Sequence, residues 1–76
     1  MTDEKLLNEV IKASGLKKEY IASSLGLTIQ SLRNKISGKT DFLAPEIAEL
    51  ASILNLNAQS VDRIFFDNKV LKNKNI

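Results

Sequence analysis

Seventy-six residues with no Gly/Pro/Ser-rich linker leave room for one domain and one small core, and a chain this short buries only about 60% of the surface it exposes unfolded. Most of its 43% apolar residues are therefore needed for that core, and a deep substrate cavity is not expected. Cys and His are both absent, which excludes disulfides, thiolate and imidazole metal ligands, cysteine nucleophiles and the commonest general base, so no enzyme, cofactor or metal is expected; the net charge is only +2.

Helical periodicity runs through the chain. Leu6, Leu7, Val10 and Ile11 recur at the spacing of one helical face, with Thr2 as the predicted N-cap, Asp3 and Glu4 complementing the helix dipole, and Gly15 as the stop. A second helix fits Lys17 to Leu25, where Ile21, Ala22 and Leu25 share a face and Gly26 supplies a left-handed turn residue. Thr28 caps a third, in which Ile29, Leu32 and Ile36 line one side and Gly38 follows as the stop. Lys39 to Ala44 reads as a turn-rich connection. Pro45 then marks an N1 position, preceded by Ala44 as a poor cap, and Ile47, Leu50, Ala51 and Leu54 form an apolar stripe. Asn57 caps a last helix with Val61, Ile64 and Phe65 pointing inward and an end near Asp67. No segment alternates with period two, so the fold expected is all-α: a compact five-helix domain over residues 1–67. Residues 68–76, with Val70, Leu71 and Ile76 among Lys and Asn, are expected to form a flexible basic tail.

Charge is segregated along this frame. Residues 12–39 hold six cations (Lys12, Lys17, Lys18, Arg33, Lys35, Lys39) against Glu19, net +5, whereas residues 40–67 hold Arg63 against Asp41, Glu46, Glu49, Asp62 and Asp67, net −4. A basic segment of this kind is suited to a polyanion, although a solvated face with ordinary helix-surface pairs would look similar. No apolar run reaches the roughly 20 residues of a membrane span. The acidic start Met1-Thr2-Asp3-Glu4 is the wrong sign for a signal peptide, and a cytoplasmic location is expected.

The segment from Lys18 to Leu32 carries the functional information. Ala22 is small where a second helix would close on a crossing helix, Gly26 takes the turn's positive φ, and Ile21, Leu25, Leu27 and Leu32 fill the wedge between two helices packed near a right angle. These offsets are a helix-turn-helix signature; the plainer reading is an αα-hairpin within a structural bundle. Other pairings carry less. Glu46 and Glu49 are ordinary first-turn acids rather than a catalytic pair, and Ser23-Ser24 has no base to activate it.

Over residues 5–66 the chain resembles the lambda-repressor-like, Cro/repressor-type helix-turn-helix domains, in particular the small phage-type regulators of Gram-positive bacteria. The resemblance implies that the third helix enters the DNA major groove, usually as one half of a homodimer on a two-fold operator. Carried over by position, Thr28, Gln30, Ser31 and Asn34 would reach base edges or nearby phosphates. Gln30 and Asn34 would be the best readers, since an amide pairs with adenine N6 and N7. Lys17, Lys18, Arg33, Ser37, Lys39 and Thr40 would meet phosphate, giving salt-sensitive affinity. Three positions depart from the family pattern. Lys18 replaces the usual Gln, Lys35 stands at a commonly apolar site with Ile36 taking over its packing, and Ile29 occupies a first-turn position that is more often polar.

The function so implied is a phage or prophage transcriptional regulator, Cro-like, binding double-stranded operator DNA to control a lytic/lysogenic switch. The alternative is an antirepressor or modulator that binds a larger phage repressor protein and blocks its DNA surface. Ile29, an apolar residue on the reading helix, and the low net charge motivate it. Phe66, turned about 100° from core-facing Phe65, is the other candidate for a subunit or partner contact.

Overall fold

The computed structural model describes residues 2–66; the tail expected at 68–76 lies outside them, and the last helix, expected to end near Asp67, ends at Phe65. Five helices follow in order: α1 (Glu4–Ser14), α2 (Lys18–Leu25), α3 (Ile29–Ile36), α4 (Ala44–Ile53) and α5 (Ala58–Phe65). No strand occurs among the described residues, so the domain is all-α, as the periodicity required.

One core joins all five. Leu7, Ile21, Leu32, Leu50 and Ile64, one from each helix, are fully buried, and Ile11, Ala22, Ile36, Phe42, Leu54 and Phe65 complete the cluster. Helix α2 packs on both α3 and α4, while α1 touches α3 and α5. This arrangement leaves one side of α3 facing out. The start of α1 is tied to the last turn of α5 by the Asp3 N–H, which donates to the Ile64 carbonyl at 2.6 Å.

The stops follow the expected chemistry. Gly15 (φ +76°) and Gly26 (φ +72°) end α1 and α2 in the left-handed region that other residues enter at a cost. Ser37 closes α3 in a right-handed conformation before Gly38 turns the chain at φ +87°. At the end of α4 Asn55 takes the same left-handed role at φ +57°. The Leu56 N–H then donates to Ala51 O at 2.8 Å, and the Asn55 N–H to Ser52 O at 3.2 Å.

The starts differ from expectation in three places. Asp3, not Thr2, caps α1, because its carboxylate accepts from the Leu6 N–H at 3.0 Å. Lys17 sits outside α2 as an N-cap without a side-chain bond, so that helix begins one residue later than expected. Leu43, not Ala44, is the N-cap of α4, which places Ala44 at N1 and Pro45 at N2. Leu43 has no oxygen with which to cap; instead the Glu46 carboxylate reaches back to accept from its N–H at 2.8 Å, the reciprocal half of a capping box.

The connection before α4 contributes a core residue that periodicity missed. Phe42 is buried, with its ring edge-on to Phe65 at 5.4 Å and 83°. Of the α4 stripe, Leu50 and Leu54 are buried while Ile47 and Ala51 remain half-buried at its margin. No helix among the described residues is long and apolar enough to cross a membrane.

Candidate nucleic-acid interface

The candidate interface is set by three residues, Gly26-Leu27-Thr28, between two eight-residue helices. Gly26 reverses the chain, and the Leu27 N–H donates back to Ala22 O at 2.8 Å while its side chain packs against the core. Thr28 then starts α3, its Oγ1 accepting from the Ser31 N–H at 3.1 Å. Burial of Leu32 and Ile36 fixes the rotation of α3 about its own axis. At 100° per residue this turns Gln30, Arg33 and Ser37 outward, and all three are exposed.

Five of the expected contact residues come together on one concave surface. Lys18, Gln30, Arg33, Asn34 and Ser37 line a cleft of about 320 Å³, with Ile36 at its apolar edge. Helix α1 adds two residues that sequence reasoning did not assign to the site, Glu4 and Asn8. In the sequence Glu4 is a dipole-complementing acid and Asn8 lies within an apolar periodic stretch, so neither carries a local signal for the site. Asn8 Oδ1 is a buried oxygen without a hydrogen-bond partner among the described residues.

The other expected residues lie outside the cleft. Lys17, Thr28 and Lys39 are exposed beyond it, and Ser31 is half-buried. The turn after α3 is held by the Asn34 carbonyl, which accepts from the Lys39 N–H at 2.9 Å, the Thr40 N–H at 3.3 Å and Ser37 Oγ at 3.1 Å. The backbone of Lys39 and Thr40 is therefore tied to the last turn of α3. On the helix itself Gln30 Nε2 donates to Asn34 Oδ1 at 3.1 Å.

Lys35 is not part of this surface. Its ammonium pairs with Glu46 Oε1 at 3.1 Å and donates to Asp41 O at 2.8 Å, with both ionic side chains only 13% and 12% exposed. The same Glu46 oxygen holds the Leu43 N–H, so the end of α3, the connection and the start of α4 share one polar junction. Glu46 is thus committed to structure. The Lys35 ammonium meets a carboxylate that is itself held in place by the Leu43 N–H.

Ile29 turns partly inward and packs against the core cluster, unlike the exposed polar residues beside it. Phe66 is 49% exposed and lines a separate cleft with Thr2, Asp41, Phe42, Ile47 and Phe65, none of which belongs to α3. Among the described residues no three carboxylates are grouped closely enough to hold a metal ion.

No protein-family model, no curated protein and no solved structure matches the chain.

Proposed function

We propose that this chain binds double-stranded DNA through α2, the Gly26–Thr28 turn and α3, with α3 as the recognition helix. One observation carries the reading: α3 buries Leu32 and Ile36 while holding Gln30, Arg33 and Ser37 exposed beside Lys18 of α2. A helix anchored on one side, polar on the other and flanked by cations can enter a groove without unfolding any part of its support. Taken with the offsets of Ala22, Gly26 and Leu32, this supports a Cro-like phage or prophage transcriptional regulator acting on an operator as a homodimer.

The cation count sets the expected electrostatics. Lys35 is held by Glu46, which leaves Lys17, Lys18, Arg33 and Lys39 as the basic side chains around the helix. If each displaces one counterion, the slope of log K against log salt is about −3.6 per subunit. Fluorescence anisotropy on short duplexes, titrated with salt, measures it. A slope between about −3 and −4 agrees with the proposal. No binding to a varied set of duplexes at low ionic strength, where phosphate attraction is largest, rejects it.

The antirepressor alternative loses one of its motives, since Ile29 lies partly buried in its own domain. What favours a protein contact is the exposure of Phe66 and Leu43. These suit a subunit or partner interface away from α3. A stoichiometric complex with a larger repressor, disrupted by Phe66→Glu and indifferent to DNA, would transfer the proposal to that reading.

A further inference from the structure

Helix α1 brings an acid to the surface where the cations stand. Glu4 is the first residue of α1 and lines the same cleft as Lys18 and Arg33, the one carboxylate among the described residues that does so. Its backbone cannot retreat. The Asp3 carboxylate caps the first turn through the Leu6 N–H, the Asp3 N–H is held by Ile64 O, and burial of Leu7 and Ile11 fixes the rotation of α1 about its own axis.

The carboxylate is also uncommitted. Glu46 is paired with Lys35 and accepts from the Leu43 N–H, whereas the Glu4 side chain makes no hydrogen bond or ion pair among the described residues. Neither Lys18 nor Arg33 has an ionic partner there. The cleft therefore sets two cations against one acid, and a phosphate drawn to Lys18 or Arg33 meets a like charge on the α1 wall.

We infer that Glu4 is an affinity-limiting residue of the DNA interface: its charge opposes the phosphate that Lys18 and Arg33 attract, and it weakens binding to duplexes of any sequence. This rests on the DNA-binding reading above. For a phosphate about 7 Å from the carboxylate and an effective dielectric of about 50, the repulsion lowers affinity about fivefold. The effect fades with the Debye length, which is about 30 Å at 0.01 M salt and about 3 Å at 1 M. An acid in the first turn also complements the helix dipole, and that role is separable, because it acts on stability and not on affinity. Location rather than total charge is the deciding variable. Glu9 lies on the same helix and is exposed, but it stands outside the cleft.

The test is fluorescence anisotropy of the full chain on short duplexes at about 0.01 M salt, with Glu4→Gln, Glu4→Ala and Glu9→Gln beside the wild type and folding checked by thermal melting. Both Glu4 variants should bind about fivefold more tightly, and Glu9→Gln, which makes the same change in net charge, less than about twofold. The Glu4 gain should shrink as salt is raised and be the same for duplexes of different sequence. Equal gains for Glu4→Gln and Glu9→Gln overturn the inference, since net charge alone would then account for them. A gain in Glu4→Ala that Glu4→Gln lacks overturns it as well, tracing the effect to bulk. Weaker binding by Glu4→Gln does the same, because the carboxylate would then be accepting from the DNA, as it can from cytosine N4. An altered Tm with unchanged affinity leaves Glu4 a helix-start residue only and sinks the idea too. In each of these cases DNA binding itself still stands. No binding by any of the four proteins rejects the DNA-binding reading and the inference with it.

Discussion

Replacing Lys35 by methionine separates structural charge from phosphate-binding charge in the basic segment. Methionine keeps most of the apolar stem and removes the ammonium that pairs with Glu46 and donates to Asp41 O. An exposed ion pair would contribute about 0 to 1 kcal/mol, whereas breaking a fully buried one costs about 3 to 5 kcal/mol. At 13% and 12% exposure this pair lies between those limits. The lost hydrogen bond to Asp41 O adds about 1 kcal/mol, and the apolar methionine tip returns part of the total. The net expectation is a destabilisation of about 2 kcal/mol. For a domain of this size that lowers Tm by about 8–16 °C. Thermal and urea unfolding measure it, and a double-mutant cycle with Glu46→Gln should give a coupling of about 1 to 2 kcal/mol. A Tm within about 2 °C of the wild type would refute the reasoning, because the pair would then be behaving as a solvated surface pair.

Two further perturbations test the packing and the turn. Phe42→Ala removes a buried ring and its edge-on contact with Phe65, and should cost about 3 kcal/mol in urea unfolding; a loss below about 1 kcal/mol would mean that the connection before α4 does not close the core. Gly26→Ala places a side chain at φ +72° where no atom lies within 4 Å, so only backbone strain is felt and about 1 kcal/mol should be lost by the same measurement. A loss of 3 kcal/mol or more there would point to a steric clash that this geometry does not contain.

The helices were legible because their apolar residues repeat with a sharp period and each is closed by a residue with its own chemistry. Ends were less legible where two neighbours compete. Thr2 and Asp3 are both capable caps, and the choice falls to Asp3, whose backbone N–H is also held by Ile64 O across the fold. At Leu43 the cap is supplied from inside the helix by Glu46, so the residue preceding it carries no signature. Phe42 escaped periodicity because it lies in an irregular connection, where burial depends on what α5 brings alongside. The outward side of α3 was legible from Leu32 and Ile36 alone, since burying those two leaves little choice of rotation. The cleft was not: Glu4 and Asn8 meet Lys18 and Arg33 only once α1 has packed against α3. Lys35 shows the limit of counting charge, because its partner Glu46 lies eleven positions away beyond an irregular connection.

The most direct measurement is residue-resolved amide chemical-shift mapping by NMR as a short duplex is added at low ionic strength. The largest changes should fall on Lys17–Lys18 and on residues 28–40, with the α5 residues around Ile64 nearly still. Changes centred instead on Leu43 and Phe66, or no changes at any duplex concentration, would contradict the proposal that the exposed side of α3 is the DNA-binding surface.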